Sequence, residues 1–171
     1  MTAIFPTSSP SISLSSSPSS SPVRRRPTSG TARAALAQYL ATHDPLSAVD
    51  LSVPERTWVR VAHGEDADIW LITWPAGSST GWHDHGSASG AFVVLEGQLT
   101  EYVWTGVATA TTLQSPGVRE FDGSHIHDVI NHGVRTAVSL HAYAPSLAAM
   151  TRYELVRGRL QVTGVEQRET W

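Results

Sequence analysis

The chain has 171 residues, enough for one domain with its own core and too few for two ordinary ones. It contains no cysteine, which excludes disulfides, thiolate metal sites and a cysteine nucleophile, and no lysine, so every basic side chain is an arginine. The formal charge is −3, but residues 31–171 hold 9 Arg against 15 Asp and Glu; a body that acidic lacks the basic face nucleic acid requires, and no apolar run reaches the length of a membrane span.

Residues 1–30 carry 11 Ser and 5 Pro, with Arg24, Arg25 and Arg26 and no acidic residue. Such a segment buries too little apolar surface to offset its ordering entropy and is expected to be a disordered tail. Its composition is that of an organelle transit peptide, yet the lysine-free, alanine-rich coding bias favours an extension on a bacterial chain. No basic region precedes an unbroken apolar stretch, so the expected location is cytoplasmic. The domain itself is expected over 31–171. It opens with a short amphipathic helix from Thr31 to His43, whose apolar positions are Ala35, Leu36, Tyr39 and Leu40.

Beyond the helix, short runs with period-two alternation predict strands at Thr57–Val61, Ile69–Trp74, around Ala91–Leu95, Leu99–Trp104 and Ala108–Leu113. Others follow at His125–Ile130, Thr136–Ala144, Met150–Leu155 and Leu160–Thr163. Glu96-Gly97-Gln98, Pro116-Gly117 and Asp122-Gly123 read as turns between them. Many short strands joined by tight turns after one helix predict an all-β antiparallel barrel or jelly roll.

Gly77 to Gly97 reads G-x5-H-x-H-x4-G-x6-G, which spaces His83 and His85 two apart, so that on an extended strand both imidazoles project from one face. A third histidine comes from His125 or His127, which also share a face; His127 is favoured because Asn131 completes an H-x3-N pattern. Three imidazoles and no carboxylate leave an octahedral metal with three open positions, which suits Fe(II) and redox chemistry, although three histidines also hold catalytic zinc. His43, His63 and His132 fall in expected loops or helix ends and read as solvated. Ser139, His141 and Tyr143 alternate along one strand and share a face; no acid stands where it could orient His141, so this row is not a nucleophilic triad. Arg60 shares strand parity with Arg56 and Trp58, and an inward arginine needs an anionic partner that a substrate carboxylate could supply.

The glycine and histidine frame resembles the first motif of the metal-binding cupin barrels, in most of which the place of Gly90 is a metal-ligating glutamate. The segments WPAGSSTGWHDHGSASGAF, HIHDVIN and AVSLHAYAP, in that order, are similar to the cysteine dioxygenase family, the thiol dioxygenase branch of the cupins, over Arg56 to Pro145. That resemblance implies a cupin jelly roll holding Fe(II) on His83, His85 and His127, with Ser139, His141 and Tyr143 as the family's catalytic row and Tyr143 over the substrate. It implies oxidation of L-cysteine by O2 to cysteine sulfinic acid, with Arg60 gripping the carboxylate where a sister group acting on 3-mercaptopropionate carries glutamine. The family's habit implies a monomer. Animal members crosslink the tyrosine to a cysteine whose place is Gly90 here, so Tyr143 is expected to act as a free phenol. Two other readings stay open: a zinc-dependent cupin isomerase or lyase, and a non-catalytic small-molecule-binding module.

Overall fold

The computed structural model of the protein describes residues 27–168. In chain order it holds α1 (Ser29–Thr42), a 3-10 turn at Pro45–Ala48, β1 (Thr57–His63), β2 (Asp68–Trp74), β3 (Ser89–Glu96), β4 (Gln98–Trp104), β5 (Ala108–Gln114), β6 (Val118–Phe121), β7 (His127–Ile130), β8 (Ala137–Ala144), β9 (Ala149–Val156) and β10 (Arg159–Gln167). The expected disordered tail lies outside the described residues as far as residue 26; its last two residues belong to the helix, which begins at Ser29 rather than Thr31. The start is set by Thr28 as N-cap, whose backbone N–H donates to the Thr31 hydroxyl at 3.1 Å in a reciprocal capping box.

Two antiparallel layers make the barrel. One is a five-stranded sheet in the order β1-β2-β8-β3-β6. The other consists of a three-stranded piece, β5-β4-β7, and the hairpin β9-β10. The segment around His83 stitches these pieces together. His83 bridges His127 of β7 on one side and Arg152 of β9 on the other, so it serves as a strand between them without forming a ladder of its own.

The helix decides which face of the large sheet looks inward. Ala32 and Leu36 are buried against Ile69, Ala91, Val93, Leu140 and Ala142, with Ala35 and Tyr39 packed beside them, while Leu40 is exposed. Burying Leu36 alone contributes about 2 kcal/mol. Because Leu140 and Ala142 are covered by the helix, the alternate residues of β8, Ser139, His141 and Tyr143, must face the barrel interior. Every residue of β8 is buried as a result.

The short strand β6 was not anticipated. Its four residues, two of them charged, lie between two turns and show no apolar alternation, yet they pair with β3 from Gly90↔Phe121 to Val93↔Val118. β10 also runs on to Gln167, well beyond the expected Thr163. The turn at Gly97 forms as expected. Its φ of 74° suits glycine, and a Cβ there would lie 2.9 Å from that of Ala137.

Candidate active site

His83, His85 and His127 converge from two separated stretches of chain. Their ring centroids lie 4.9, 4.7 and 5.0 Å apart pairwise, and one nitrogen from each falls within 4.8 Å of the others. Local backbone pairing brings this about: the His83 N–H donates to the His127 carbonyl at 2.9 Å and the His127 N–H returns a bond of 3.0 Å. Asp84, between the first two histidines, pins the segment to β9. Its carboxylate accepts from the Tyr153 hydroxyl at 2.7 Å and from the Thr151 N–H at 3.1 Å.

The tautomers follow from the partners. Nδ1 of His83 lies 2.9 Å from the Gly81 carbonyl, which can only accept, so Nδ1 carries the proton and Nε2 keeps its lone pair. Nδ1 of His127 lies 2.8 Å from Glu101 Oε1 and is fixed in the same way. His85 differs: neither of its nitrogens has a hydrogen-bond partner, although the residue is buried. Burial, with the neighbouring histidines adding, holds His83 and His85 well below the ordinary imidazole value. Burial also lowers His127, against the opposing pull of Glu101. Three neutral imidazoles with one nitrogen each within 4.8 Å of the others are a donor set a divalent first-row metal takes, so the residues present fit such an ion.

Glu101 was missed by sequence reading. It is fully buried on β4, two residues after the buried Leu99, and a carboxylate at an inward strand position was a legible signal that partners lie within. Oε1 accepts from both His125 Nε2 and His127 Nδ1 at 2.8 Å, and Arg119 Nε donates to Oε2 at 2.6 Å. Burial alone would raise its pKa, but the hydrogen bonds from His125 and His127 and the charge of Arg119 hold it well below the carboxylate range. His125, the alternative third histidine of the sequence reading, helps to hold this carboxylate. His63 is exposed, as expected, and also pairs with the buried Asp68.

The row on β8 forms one directional chain. Trp74 Nε1–H can only donate, and it reaches Ser139 Oγ at 2.8 Å. The Ser139 hydroxyl then donates to His141 Nε2 at 2.8 Å, which leaves the imidazole proton on Nδ1, 3.4 Å from the Tyr143 oxygen. Burial depresses His141 to about 3, so it stays neutral, and Phe92 stacks on its ring at 4.6 Å. Burial raises the Tyr143 phenol, opposed by the charges of Arg56 and Arg152, so it keeps its proton. Its own O–H is thus free to donate into the adjoining space.

That space is a cavity of about 470 Å³. His83, His127, His141 and Tyr143 line one side and three tryptophans, Trp58, Trp70 and Trp74, line another. Here the expectation for Arg60 needs correction. Its parity is that of Arg56 and Trp58, but it lies in the middle of β1 opposite Trp70 and pairs at 3.6 Å with Asp68, a fully buried carboxylate that needs cations around it. Arg60 does not line the cavity; Arg56 does. The Arg56 guanidinium sits 4.9 Å from the centre of Trp58 and 5.2 Å from that of Trp74, with no carboxylate in ion-pair distance among the described residues. A second cavity arginine, Arg152, is engaged already: it donates to Glu166 at 2.7 Å and to the Thr80 carbonyl at 3.0 Å.

At Gly90, where the resemblance puts a crosslinking cysteine, a Cβ would stand 2.3 Å from Cζ of Phe121. The ring of Phe121 occupies that volume.

Comparison with known proteins agrees with this architecture. A family model described as cysteine dioxygenase type I matches residues 44–155, from the start of the 3-10 turn to the end of β9. Among solved structures, TT1209 from Thermus thermophilus superposes with a TM-score of 0.54 at 18% identity, covering 61% of this chain and 96% of that one. An RmlC-like cupin from Desulfovibrio desulfuricans gives 0.53 at 24%, covering 61% and 96%. A Klebsiella pneumoniae protein with a double-stranded β-helix domain gives 0.56 at 17%, covering 64% and 88%. The fold is an all-β cupin jelly roll.

Proposed function

Because the chain belongs to the cysteine dioxygenase type I family, we propose that it is a thiol dioxygenase converting L-cysteine to cysteine sulfinic acid at an Fe(II) held by His83, His85 and His127. The observation that carries this reading is that His83 and His127 of the three-histidine cluster line a cavity that also presents Arg56, a guanidinium with no carboxylate in ion-pair distance among the described residues, and one protonated phenol, Tyr143. The bound iron would supply the redox chemistry by which both atoms of O2 add to sulfur, R–SH + O2 giving R–SO2H with no external reductant.

The chain's own residues do the rest. Arg56 binds the substrate carboxylate through a charge-assisted fork, its plane already held by Trp58 and Trp74, so little side-chain entropy is lost on binding. That anchors the thiol end toward the histidines. The tryptophan and leucine surface around the cavity excludes water and strengthens each polar contact inside. Tyr143, oriented through Trp74, Ser139 and His141, donates its hydroxyl proton in a hydrogen bond to the substrate or to oxygen as charge develops there. Arg152 and Glu166 compensate each other and leave Arg56 as the cation for a single carboxylate.

The test is oxygen uptake by protein loaded anaerobically with Fe(II), given L-cysteine and 3-mercaptopropionate in parallel, with the sulfinate quantified by mass. Faster uptake with cysteine, one O2 per sulfinate, is expected. Faster uptake with mercaptopropionate would keep the chemistry and replace the substrate, and no uptake with either would reject the dioxygenase reading. No helix among the described residues is long and apolar enough to cross a membrane, and nothing in the proposal requires one.

A further inference from the structure

The three metal-directed histidines are not held alike. His83 and His127 each have Nδ1 tied to an oxygen, whereas His85 has neither nitrogen bonded. A ligating imidazole ordinarily gains its orientation from such a bond, and His85 must gain it otherwise. What surrounds it is aromatic. Phe121 stacks on His85 with centroids 4.6 Å apart and planes at 29°, and Tyr143 lies on it at 5.3 Å and 34°.

Those two rings reach His85 because of Gly90. In register, Gly90 of β3 is flanked by Phe121 of β6 and Tyr143 of β8, so all three occupy one rung of the sheet. A side chain at the middle position would point into the space between the rings. With only hydrogen there, Phe121 leans across Gly90, coming within 2.3 Å (Cζ) and 2.6 Å (Cε2) of where a Cβ would stand, and its centroid lies 6.3 Å from that of Tyr143. Phe121 is 5% exposed, and its ring also stacks with His125 at 5.3 Å and 19°. It therefore contacts both one metal-directed histidine and a histidine that bonds the carboxylate supporting another.

From this we propose that Phe121, admitted by Gly90, is the positioning residue for His85: the flat ring does for that ligand what the Gly81 carbonyl and Glu101 do for the other two. The inference rests on the metal reading above and assigns His85's orientation to a stacking surface instead of a hydrogen bond. It explains two observations at once, the unpartnered buried imidazole and the glycine in a strand interior.

The experiment uses Co(II) alone as the probe, titrated into the full-length metal-free protein with visible absorption and competition against a chelator, alongside thermal melts of the metal-free forms. Phe121→Leu keeps an apolar side chain but removes the flat ring; it is expected to weaken Co(II) about ten-fold and alter the d–d bands. Gly90→Ala should weaken it similarly by pushing the ring off His85. In Gly90→Ala/Phe121→Leu the two losses should fail to add, since both act on one contact. His83→Ala is the control that abolishes binding. Wild-type affinity and spectrum in Phe121→Leu, or fully additive losses in the double variant, would overturn the proposal while leaving the metal site intact. Failure of the wild-type protein to bind Co(II) with one-to-one stoichiometry would instead reject the metal reading and this inference with it. Should Phe121→Leu fail to fold, Gly90→Ala alone decides, its affinity either falling or matching wild type.

Discussion

Replacing Arg56 and Arg60 separately by glutamine puts the position of the carboxylate anchor to a direct test. At Arg56 the substitution removes the one cavity cation that has no protein carboxylate in ion-pair distance among the described residues. A charge-assisted hydrogen bond is worth about 1.5–3 kcal/mol and a neutral one about 1. Exchanging a two-pronged guanidinium contact for one amide bond should therefore cost about 2–4 kcal/mol of transition-state binding, roughly thirty- to a thousand-fold in kcat/KM. Arg60 is expected to behave otherwise. It touches Asp68 at 3.6 Å with 36% of its side chain exposed, and Asp68 retains His63 and Arg168 after its loss. Arg60→Gln should leave kcat/KM within about two-fold and cost at most about 1 kcal/mol of stability. The assay is oxygen consumption with L-cysteine and with cysteamine, which has the thiol and amine but no carboxylate. Arg56→Gln should damage turnover of cysteine alone. A large loss in Arg60→Gln with none in Arg56→Gln, or equal losses on both thiols in Arg56→Gln, would refute the reasoning.

Three further outcomes are expected. Tyr143→Phe removes a phenol held protonated by burial; kcat with cysteine should fall about ten-fold or more while KM changes little, and steady-state kinetics with an unchanged kcat would exclude the hydroxyl from the reaction. Glu101→Leu leaves His125, His127 and Arg119 without their shared acceptor, so denaturant unfolding should show a loss of about 2 kcal/mol and Co(II) titration a weaker site. His141 has a folded value of about 3 against an ordinary 6.5, so below pH 6.5 the unfolded chain binds the proton that the folded chain refuses; its share of stability is present above that value and drains away as pH falls towards 3. Urea unfolding of metal-free His141→Gln should accordingly lose less stability on acidification than wild type, by up to about 1.4 kcal/mol per pH unit, and parallel slopes would contradict a buried neutral His141.

Much of the site was legible because strand parity is local physics. Ser139, His141 and Tyr143 stand two apart on β8, where a two-residue period puts them on one face, while His83 and His85, also two apart, lie outside any strand and only His83 makes β-bridges. The same rule could not rank Arg56 above Arg60, because both obey it. Arg56 just before β1 reaches the cavity while Arg60 within it meets Asp68, and Asp68 becomes a neighbour only through the pairing of β1 with β2. His125 posed a like problem: parity set it beside His127, but its partner Glu101 lies on a different strand.

The chain's own order of residues thus determined the barrel class, the turn at Gly97, the His83 and His85 pair and the row on β8, each a matter of local pattern and spacing. Tertiary structure decided what contact between distant segments must decide. It showed that Leu140 and Ala142 lie under the helix and so turn Ser139, His141 and Tyr143 inward. It joined His83 to His127 across 44 positions of sequence by a reciprocal backbone pair. It ended the Ser139 chain on the indole of Trp74, and it filled the hydrogen-only space at Gly90 with the ring of Phe121. Hydrogen bonds and ring contacts act over a few ångströms, so only the folded chain, which brings remote residues that close, could select among partners that spacing left equivalent.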